Sequence, residues 1–208
     1  PSYLALSPDG KNVYAVNETG TESTVSAFAF DREHETLTFI NKVNAGGADP
    51  CFITVTDNHV FTANYSGGSI SVFGRKAGGA VTDTLKVIRH QRKNFGRGKF
   101  GPSNAHQVMF SPDRKVMIAT NLGTDHVFSY SYNPDDNKNT LKYIDQISVR
   151  KHSGPRHTVF SADGRYLYLV QELDAGVTVF SVNEEGRLRI IQETTLVTDS
   201  TKKNGAAD

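Results

Sequence analysis

The sequence predicts an all-β fold made of a unit of four short strands that is repeated along the chain. A segment that opens on proline or alanine, forms one strand and turns into a second begins at residues 1, 50, 105 and 155. β-branched and aromatic residues dominate the strand candidates, turns rich in Gly, Pro and Asp separate them, and helical periodicity is almost absent. Four antiparallel strands that recur at intervals of about 50 residues are typical of the blades of a β-propeller.

Each repeat contains four strand candidates. The first two form a hairpin around a turn such as the Ser-Pro-Asp-Gly of residues 7–10, and the third alternates in polarity. The first strands are expected at 1–6, 50–55, 105–110 and 155–160, and the second at 13–17, 60–64, 117–121 and 167–171. The third are expected at 24–30, 69–73, 126–130 and 177–180, and the fourth at 37–43, 85–88, 141–149 and 188–196.

The expected domain organisation is a single propeller domain over residues 1–208. Its repeat units are 1–49, 50–104, 105–154 and 155–208. Repeat units with such wide turns between blades more often form seven-bladed propellers. We therefore expect an incomplete ring in which four of seven blades are present. A complete four-bladed ring is the alternative.

Composition limits the partners. Lys and Arg number 23 against 22 Asp and Glu, a net charge of +1, and no apolar run is long enough to span a membrane. We therefore expect neither a nucleic acid nor a membrane as a partner. The single cysteine excludes an internal disulfide framework and a multi-cysteine metal site, and it fits a reducing compartment. The cytoplasm is the expected location, with the periplasm or secretion as the alternative if a signal precedes Pro1.

Residues at matching repeat positions should meet around the channel of a propeller, because the innermost strands line it. The second position of the repeats holds Ser2, Cys51, His106 and Arg156. The end of the second strand holds Asn17, Asn64, Asn121 and Gln171, and the next position holds Glu18, Tyr65, Leu122 and Glu172. The amide column keeps one chemical type, which indicates turn or backbone hydrogen bonding. The second position of the repeats does not keep one chemical type, which indicates a functional site.

His106, Arg156 and Glu172 are the candidate catalytic residues. An imidazole, a guanidinium and a carboxylate at one channel mouth are suited to acid/base chemistry on an anionic or ester-like substrate. Arg156 is expected to bind the substrate anion and the developing oxyanion, while either His106 or Glu172 activates water. The structural alternatives are a hydrogen-bonded core histidine and an Arg156–Glu172 ion pair. His157 is expected on the opposite strand face in a structural role.

Several strings of residues resemble the lactonase family of seven-bladed propellers along nearly the whole chain. They are Ser-Pro-Asp-Gly-Lys with Tyr-Ala-Val-Asn-Glu (7–18), Asp-Pro-Cys (49–51), Ala-Asn-Tyr-Ser-Gly-Gly-Ser (63–69), Ala-His-Gln-Val (105–108), Leu-Gly-Thr-Asp (122–125), Ser-Gly-Pro-Arg-His (153–157) and Gln-Glu-Leu-Asp (171–174). Of these, Ala-His-Gln-Val, Ser-Gly-Pro-Arg-His and Glu-Leu-Asp at this spacing are the more specific. The family's pattern has Asn where this chain has Gln171, so the amide group is kept.

The resemblance implies hydrolysis of a small anionic sugar lactone, 6-phosphogluconolactone above all, with no metal and no cofactor. The family's histidine, arginine and glutamate fall on His106, Arg156 and Glu172, and a further family arginine would lie beyond Asp208. A muconate-type lactonizing cycloisomerase, using the same residues on a dicarboxylate, is one alternative. A non-catalytic binding propeller is the other alternative, although in such a protein the channel-lining position of the repeats should lack catalytic residue types.

Weaker patterns receive structural interpretations. Residues 96–101 match GxGxxG but lie outside any βαβ unit, which argues against a nucleotide site. The basic segment 89–99 is expected to be a solvated loop, with attraction of an anionic substrate as the alternative. Cys51 is expected to be a buried small residue. No metal-ligand spacing and no GxSxG motif is present.

Overall fold

The computed structural model describes residues 1–90, 103–197 and 205–206. In these residues sixteen strands form four antiparallel sheets, each strand pairing with its neighbours in sequence. We call the sheets blades 1 to 4. Blade 1 is β1 (Tyr3–Leu6), β2 (Asn12–Asn17), β3 (Thr24–Asp31) and β4 (Thr36–Asn44), and blade 2 is β5 (Pro50–Val55), β6 (His59–Asn64), β7 (Ser69–Arg75) and β8 (Val81–Arg89). Blade 3 is β9 (Ala105–Phe110), β10 (Val116–Asn121), β11 (His126–Tyr132) and β12 (Leu141–Ser148), and blade 4 is β13 (Pro155–Phe160), β14 (Tyr166–Gln171), β15 (Gly176–Val182) and β16 (Leu188–Thr195).

The predicted all-β fold of four-stranded blades is confirmed. Every strand candidate corresponds to an observed strand, and most boundaries differ by one or two residues. The largest difference is β8, which begins at Val81 rather than at residue 85. A short 3-10 helix, Gly20–Glu22, precedes β3 and was not expected from the sequence.

A Ser-x-Asp turn joins the first two strands of blades 1, 3 and 4. In blade 4 the hydroxyl of Ser161 donates to Asp163 at 2.6 Å, and the backbone N–H of Tyr166 donates to that hydroxyl at 3.0 Å. The backbone N–H of Arg165 also donates to the Asp163 carboxylate. Serine and aspartate at this spacing therefore satisfy the backbone groups of the turn, which is why the string repeats.

The blades group into two compact units, each with its own apolar core. The first unit holds blades 1 and 2 with residues 134–140, and the second holds blades 3 and 4. In each unit the core lies between the facing sheets. The first core includes Tyr14, Val16, Val25, Ile53, Val60 and Phe73, and the second includes Val116, Ile118, Val127, Leu167, Leu169 and Phe180. Full burial of one such large side chain contributes about 1.5–3 kcal/mol, so paired blades stabilise one another.

The outer strand of every blade carries a β-bulge next to its third strand. The extra residue is aliphatic in each case. These residues are Ile40, Leu85, Ile144 and Ile191. None of the helices in the described ranges is long and apolar enough to cross a membrane.

Candidate active site

The three side chains that the sequence predicts as catalytic meet within the unit of blades 3 and 4. Nη1 of Arg156 donates hydrogen bonds to Nε2 of His106 at 2.9 Å and to Oε2 of Glu172 at 2.5 Å. A guanidinium has donors only, so the Nε2 atom that faces it must be an acceptor. His106 is therefore neutral in this arrangement, and its proton is on Nδ1.

This cluster is partly removed from water. His106 is 7% exposed, and the side chains of Arg156 and Glu172 are 23% and 31% exposed. Partial burial strengthens the attraction between the guanidinium and the carboxylate relative to bulk water. The cluster thus combines a neutral base with a forked cation whose charge is balanced by one carboxylate.

A β-bulge places two of these residues. In β9 and β13, His106 and Arg156 are the extra residues opposite the amides Asn121 and Gln171. Blade 2 has the same bulge at Cys51. A bulged residue has no ladder partner, and the bulge changes the direction of its side chain. This explains why the position varies chemically from blade to blade while the neighbouring amide does not.

Glu172 is placed by the backbone of the segment that leads into β13. Its N–H donates to the carbonyl oxygen of Gly154 at 2.8 Å, and the N–H of Leu173 donates to Ser153 at 2.9 Å. Gly154 has a φ of +68°, and a Cβ there would lie 2.8 Å from Cγ of Leu173. Glycine is therefore required at this close approach, and it brings Glu172 beside the strand that carries Arg156.

Asp125 ties the turn before Arg156 to blade 3. Its two carboxylate oxygens accept the backbone N–H groups of His152 at 2.9 Å and Gly154 at 3.3 Å, and the carboxylate is buried. Sequence reasoning found the Leu-Gly-Thr-Asp string but gave Asp125 no role. A carboxylate whose partners are backbone groups leaves no signal in side-chain spacing.

His157 contacts one of the predicted site residues. Its ring lies edge-on to the ring of His106, with 5.1 Å between centroids. The prediction of a structural role on the opposite strand face did not include this contact between His157 and His106. It assumed simple strand alternation, which does not hold across the bulge at Arg156.

The amide column has the structural role that the sequence indicates, with a difference in partners. Asn121 accepts the backbone N–H groups of Asn104 and Thr124 at 3.0 and 3.1 Å. The other three amides donate to hydroxyl groups on the third strand of their own blade. These bonds fix the strand ends beside which the bulged residues lie.

The remaining sequence patterns contribute little to the described site. Sγ of the half-buried Cys51 is 3.7 Å from the carbonyl oxygen of Ala63. Apart from the exposed Arg89 at the end of β8 and the buried His90, the basic segment 89–99 lies outside the described residues, as does the glycine pattern 96–101. Within the described ranges, no group of three or more His, Cys, Asp or Glu side chains is arranged to hold a metal ion.

Comparison with known proteins assigns the chain to a family. The profile of the family described as lactonase, 7-bladed beta-propeller, matches residues 1–208. The chain therefore belongs to the lactonase family of seven-bladed β-propellers, as its motifs predict.

Individual relatives agree with this assignment. The chain is 31% identical over 186 residues to a 6-phosphogluconolactonase of Formosa agariphila, which is 87% of this chain and 53% of the relative. Its structure resembles that of a Bacteroides fragilis protein assigned provisionally as a 6-phosphogluconolactonase, with a TM-score of 0.89, 37% identity, and coverage of 98% of this chain and 59% of the other. It also resembles the periplasmic gluconolactonase PpgL of Pseudomonas aeruginosa, with a TM-score of 0.88, 33% identity, and coverage of 98% and 60%. The chain thus spans a little over half the length of these relatives.

Proposed function

We propose that the protein hydrolyses a sugar lactone, with 6-phosphogluconolactone as the expected substrate and 6-phosphogluconate as the product. The observation that carries the proposal is the sharing of Nη1 of Arg156 between the neutral imidazole of His106 and the carboxylate of Glu172. Membership of the lactonase family and the activities named for two relatives support the reaction class.

The neutral imidazole favours His106 as the general base, a choice that the sequence leaves open. When the carbonyl oxygen of the lactone accepts hydrogen bonds from Arg156, Nε2 of His106 is released from the guanidinium. Nε2 then takes a proton from water while the water oxygen bonds to the carbonyl carbon. The π electrons of the carbonyl move to its oxygen, and the guanidinium stabilises the resulting oxyanion.

The same histidine completes the reaction as an acid. The oxyanion re-forms the carbonyl, and the bond between the carbonyl carbon and the ring oxygen breaks. The protonated imidazole returns its proton to that oxygen, which becomes a hydroxyl group of the open acid. Water is the only co-reactant, and His106 ends neutral as it began.

Glu172 is assigned to the charge balance of the intermediate. Proton transfer to His106 places a second cation beside Arg156, and an adjacent carboxylate offsets the repulsion between them. Glu172 also holds the guanidinium near His106 before the substrate binds. These steps use side chains of this cluster and water, so we expect activity to persist in the presence of a chelator.

The test is hydrolysis of 6-phosphogluconolactone by the natural full-length protein with a chelator present, after subtraction of spontaneous ring opening. His106→Ala should lower kcat about 10²–10⁴-fold through loss of the base, and Arg156→Ala about 10²–10³-fold through loss of oxyanion stabilisation. Glu172→Gln should cost at least about tenfold, because the guanidinium loses its orienting partner.

His126→Ala is the matched control. His126 also lies in blade 3 and its ring bonds to Thr124 and Ser148, not to the cluster. Activity that survives in the three cluster variants, or is lost equally in the control, contradicts the assignment. A folded wild-type protein without lactonase activity overturns the proposed function. A muconate-type reaction and non-catalytic binding are then tested with a dicarboxylate substrate and with lactone binding.

We propose the cytoplasm as the location, because one cysteine in 208 residues fits a reducing compartment. The name of the Pseudomonas relative places that protein in the periplasm. Fractionation of the native cells distinguishes the two compartments.

A further inference from the structure

The residue next to His106 joins β9 to β13 through its side chain. Oε1 of Gln107 accepts the backbone N–H of Thr158 at 2.6 Å and its hydroxyl at 2.8 Å, and Nε2 donates to the carbonyl oxygen of Thr158 at 3.2 Å. The amide thus pairs with the Thr158 backbone as a peptide group does in a β-ladder. Gln107 is 4% exposed, so these bonds have little competition from water.

Thr120 extends this connection to Arg156 itself. Its hydroxyl donates to the carbonyl oxygen of Arg156 at 2.7 Å and accepts the backbone N–H of Gln107 at 3.1 Å. The hydroxyl group of Thr120 is therefore hydrogen-bonded to the backbone of both Arg156 and Gln107. Gln107 and Thr120 together fix the two strands on either side of the His106–Arg156 contact.

The corresponding position in blade 1 is built differently. Tyr3 occupies the repeat position of Gln107, and its ring stacks on Phe52 of blade 2 with 4.2 Å between centroids. A stacked aromatic pair tolerates sliding, whereas three hydrogen bonds to one residue define both distance and register. The directional contact occurs in the blade pair that carries the three candidate catalytic residues.

We propose that Gln107 is a positioning residue that sets the distance between the base His106 and the oxyanion donor Arg156. The inference rests on the proposed lactonase function. Removing the amide frees β9 to move relative to β13, and the two bulged side chains no longer meet at a fixed separation. Because that separation matters most where charge develops on the substrate, kcat falls more than KM rises.

The experiment compares Gln107→Leu and Thr120→Val with Asn41→Leu in the full-length protein. Asn41 is the matched control because its amide makes the same kind of pair between blades 1 and 2. It donates to the carbonyl oxygen of Val81 at 2.8 Å and accepts the N–H of Val81 at 3.1 Å. We expect similar losses of Tm in all variants. We expect kcat to fall roughly 10- to 100-fold in the two site variants and to stay within about twofold in the control.

A second measurement does not depend on turnover. The ¹⁵N chemical shift of His106 Nε2 should move towards its value in Arg156→Ala when Gln107 is replaced, and should be unchanged in Asn41→Leu. Unaltered kcat and unaltered ¹⁵N shifts in a folded Gln107→Leu protein overturn the proposal, as does an equal loss of kcat in the control. If the wild type lacks lactonase activity but the ¹⁵N shifts change as expected, the proposed function fails and the positioning role stands.

Discussion

Arg156 supplies geometry as well as charge. One of its nitrogens bridges an imidazole and a carboxylate, which requires donors held in a fixed plane. A lysine at this position presents a single flexible ammonium group, which cannot reproduce the planar set of donors toward both partners.

We therefore expect Arg156→Lys to lose activity on the scale of Arg156→Ala, about 10²-fold or more in kcat/KM, although the charge is kept. Steady-state kinetics of the full-length protein make the measurement. Arg187→Lys is the control, since Arg187 forms an exposed pair with Asp145 at 3.1 Å in the same unit. Retention of activity in Arg156→Lys shows that charge alone is required.

Residue-level prediction from the sequence depends on contrast between repeats. His106 and Arg156 were predicted because their chemistry departs from that of the equivalent residues, and Glu172 because it follows the strand adjacent to the one that carries Arg156. Gln107 and Asp125 were not, because each bonds to backbone groups whose positions are known only after the blades pack. The contact of His157 with His106 was not predicted, because a bulge has no reliable signature in a single strand.

At the scale of elements, the Ser-x-Asp turn is an acid-sensitive unit. The hydrogen bond from Ser161, followed by bonds from the backbone and side chain of Arg165, lowers the pKa of Asp163 from 3.8 to about 2. A depressed pKa in the folded state means that the ionised turn stabilises the fold above pH 3.8. That contribution is lost as the pH falls towards 2.

Replacing Ser161 with alanine should raise the pKa of Asp163 towards 3.8, which a ¹³C titration of the side-chain carboxyl measures. The turn contribution is then lost at a higher pH than in the wild type. Ser7→Ala, the same change in the blade 1 turn, should leave the pKa of Asp163 at about 2. A midpoint for Asp163 that does not move in Ser161→Ala contradicts the assigned cause.

Strands were predictable because β-branched residues and turn residues recur in phase. The early start of β8 was missed because the polar residues 82–84 separate Val81 from Leu85, the first residue of the predicted strand. In the structure Val81 pairs with Arg75, and the Asn41 amide holds its peptide groups. A long-range side-chain contact thus extends the strand beyond what local propensity supports.

At the scale of the whole molecule, two sheet faces expose apolar side chains. Tyr3 contacts blade 2, whereas Leu4 and Leu6 on the opposite side of β1 are exposed. In blade 4, Leu167 and Leu169 enter the core, and Tyr166 and Tyr168 face away from it. Exposed apolar faces of this kind promote association.

The 208-residue chain, expressed alone, should therefore self-associate, which sedimentation velocity over a range of concentrations measures. Val159 pairs with Tyr168 and is exposed, so Leu4→Lys combined with Val159→Lys places charges on both faces and should reduce the association. Leu37→Lys, at an exposed leucine of the outer strand β4, is the control and should have little effect. A monomeric wild-type chain contradicts this expectation.

The propeller class could be predicted from the repeat alone, because four strands per 50 residues leave few other architectures. The expected ring of seven blades agrees with the family to which the chain belongs. The contacts between blades could not be predicted from the sequence. The Tyr3–Phe52 stack and the hydrogen bonds between Gln107 and Thr158 each join side chains more than 45 residues apart.

The bulge shared by blades 2, 3 and 4 has a consequence for how such proteins diversify. It provides each of these blades with one position that has no ladder partner and whose backbone is already in place, so a new functional group can be installed there by a single codon change. Cys51 occupies such a position in blade 2, where blades 3 and 4 have the imidazole of His106 and the guanidinium of Arg156. Specificity can therefore evolve by exchange at these few positions while the residues that hold the sheets together remain under separate selection.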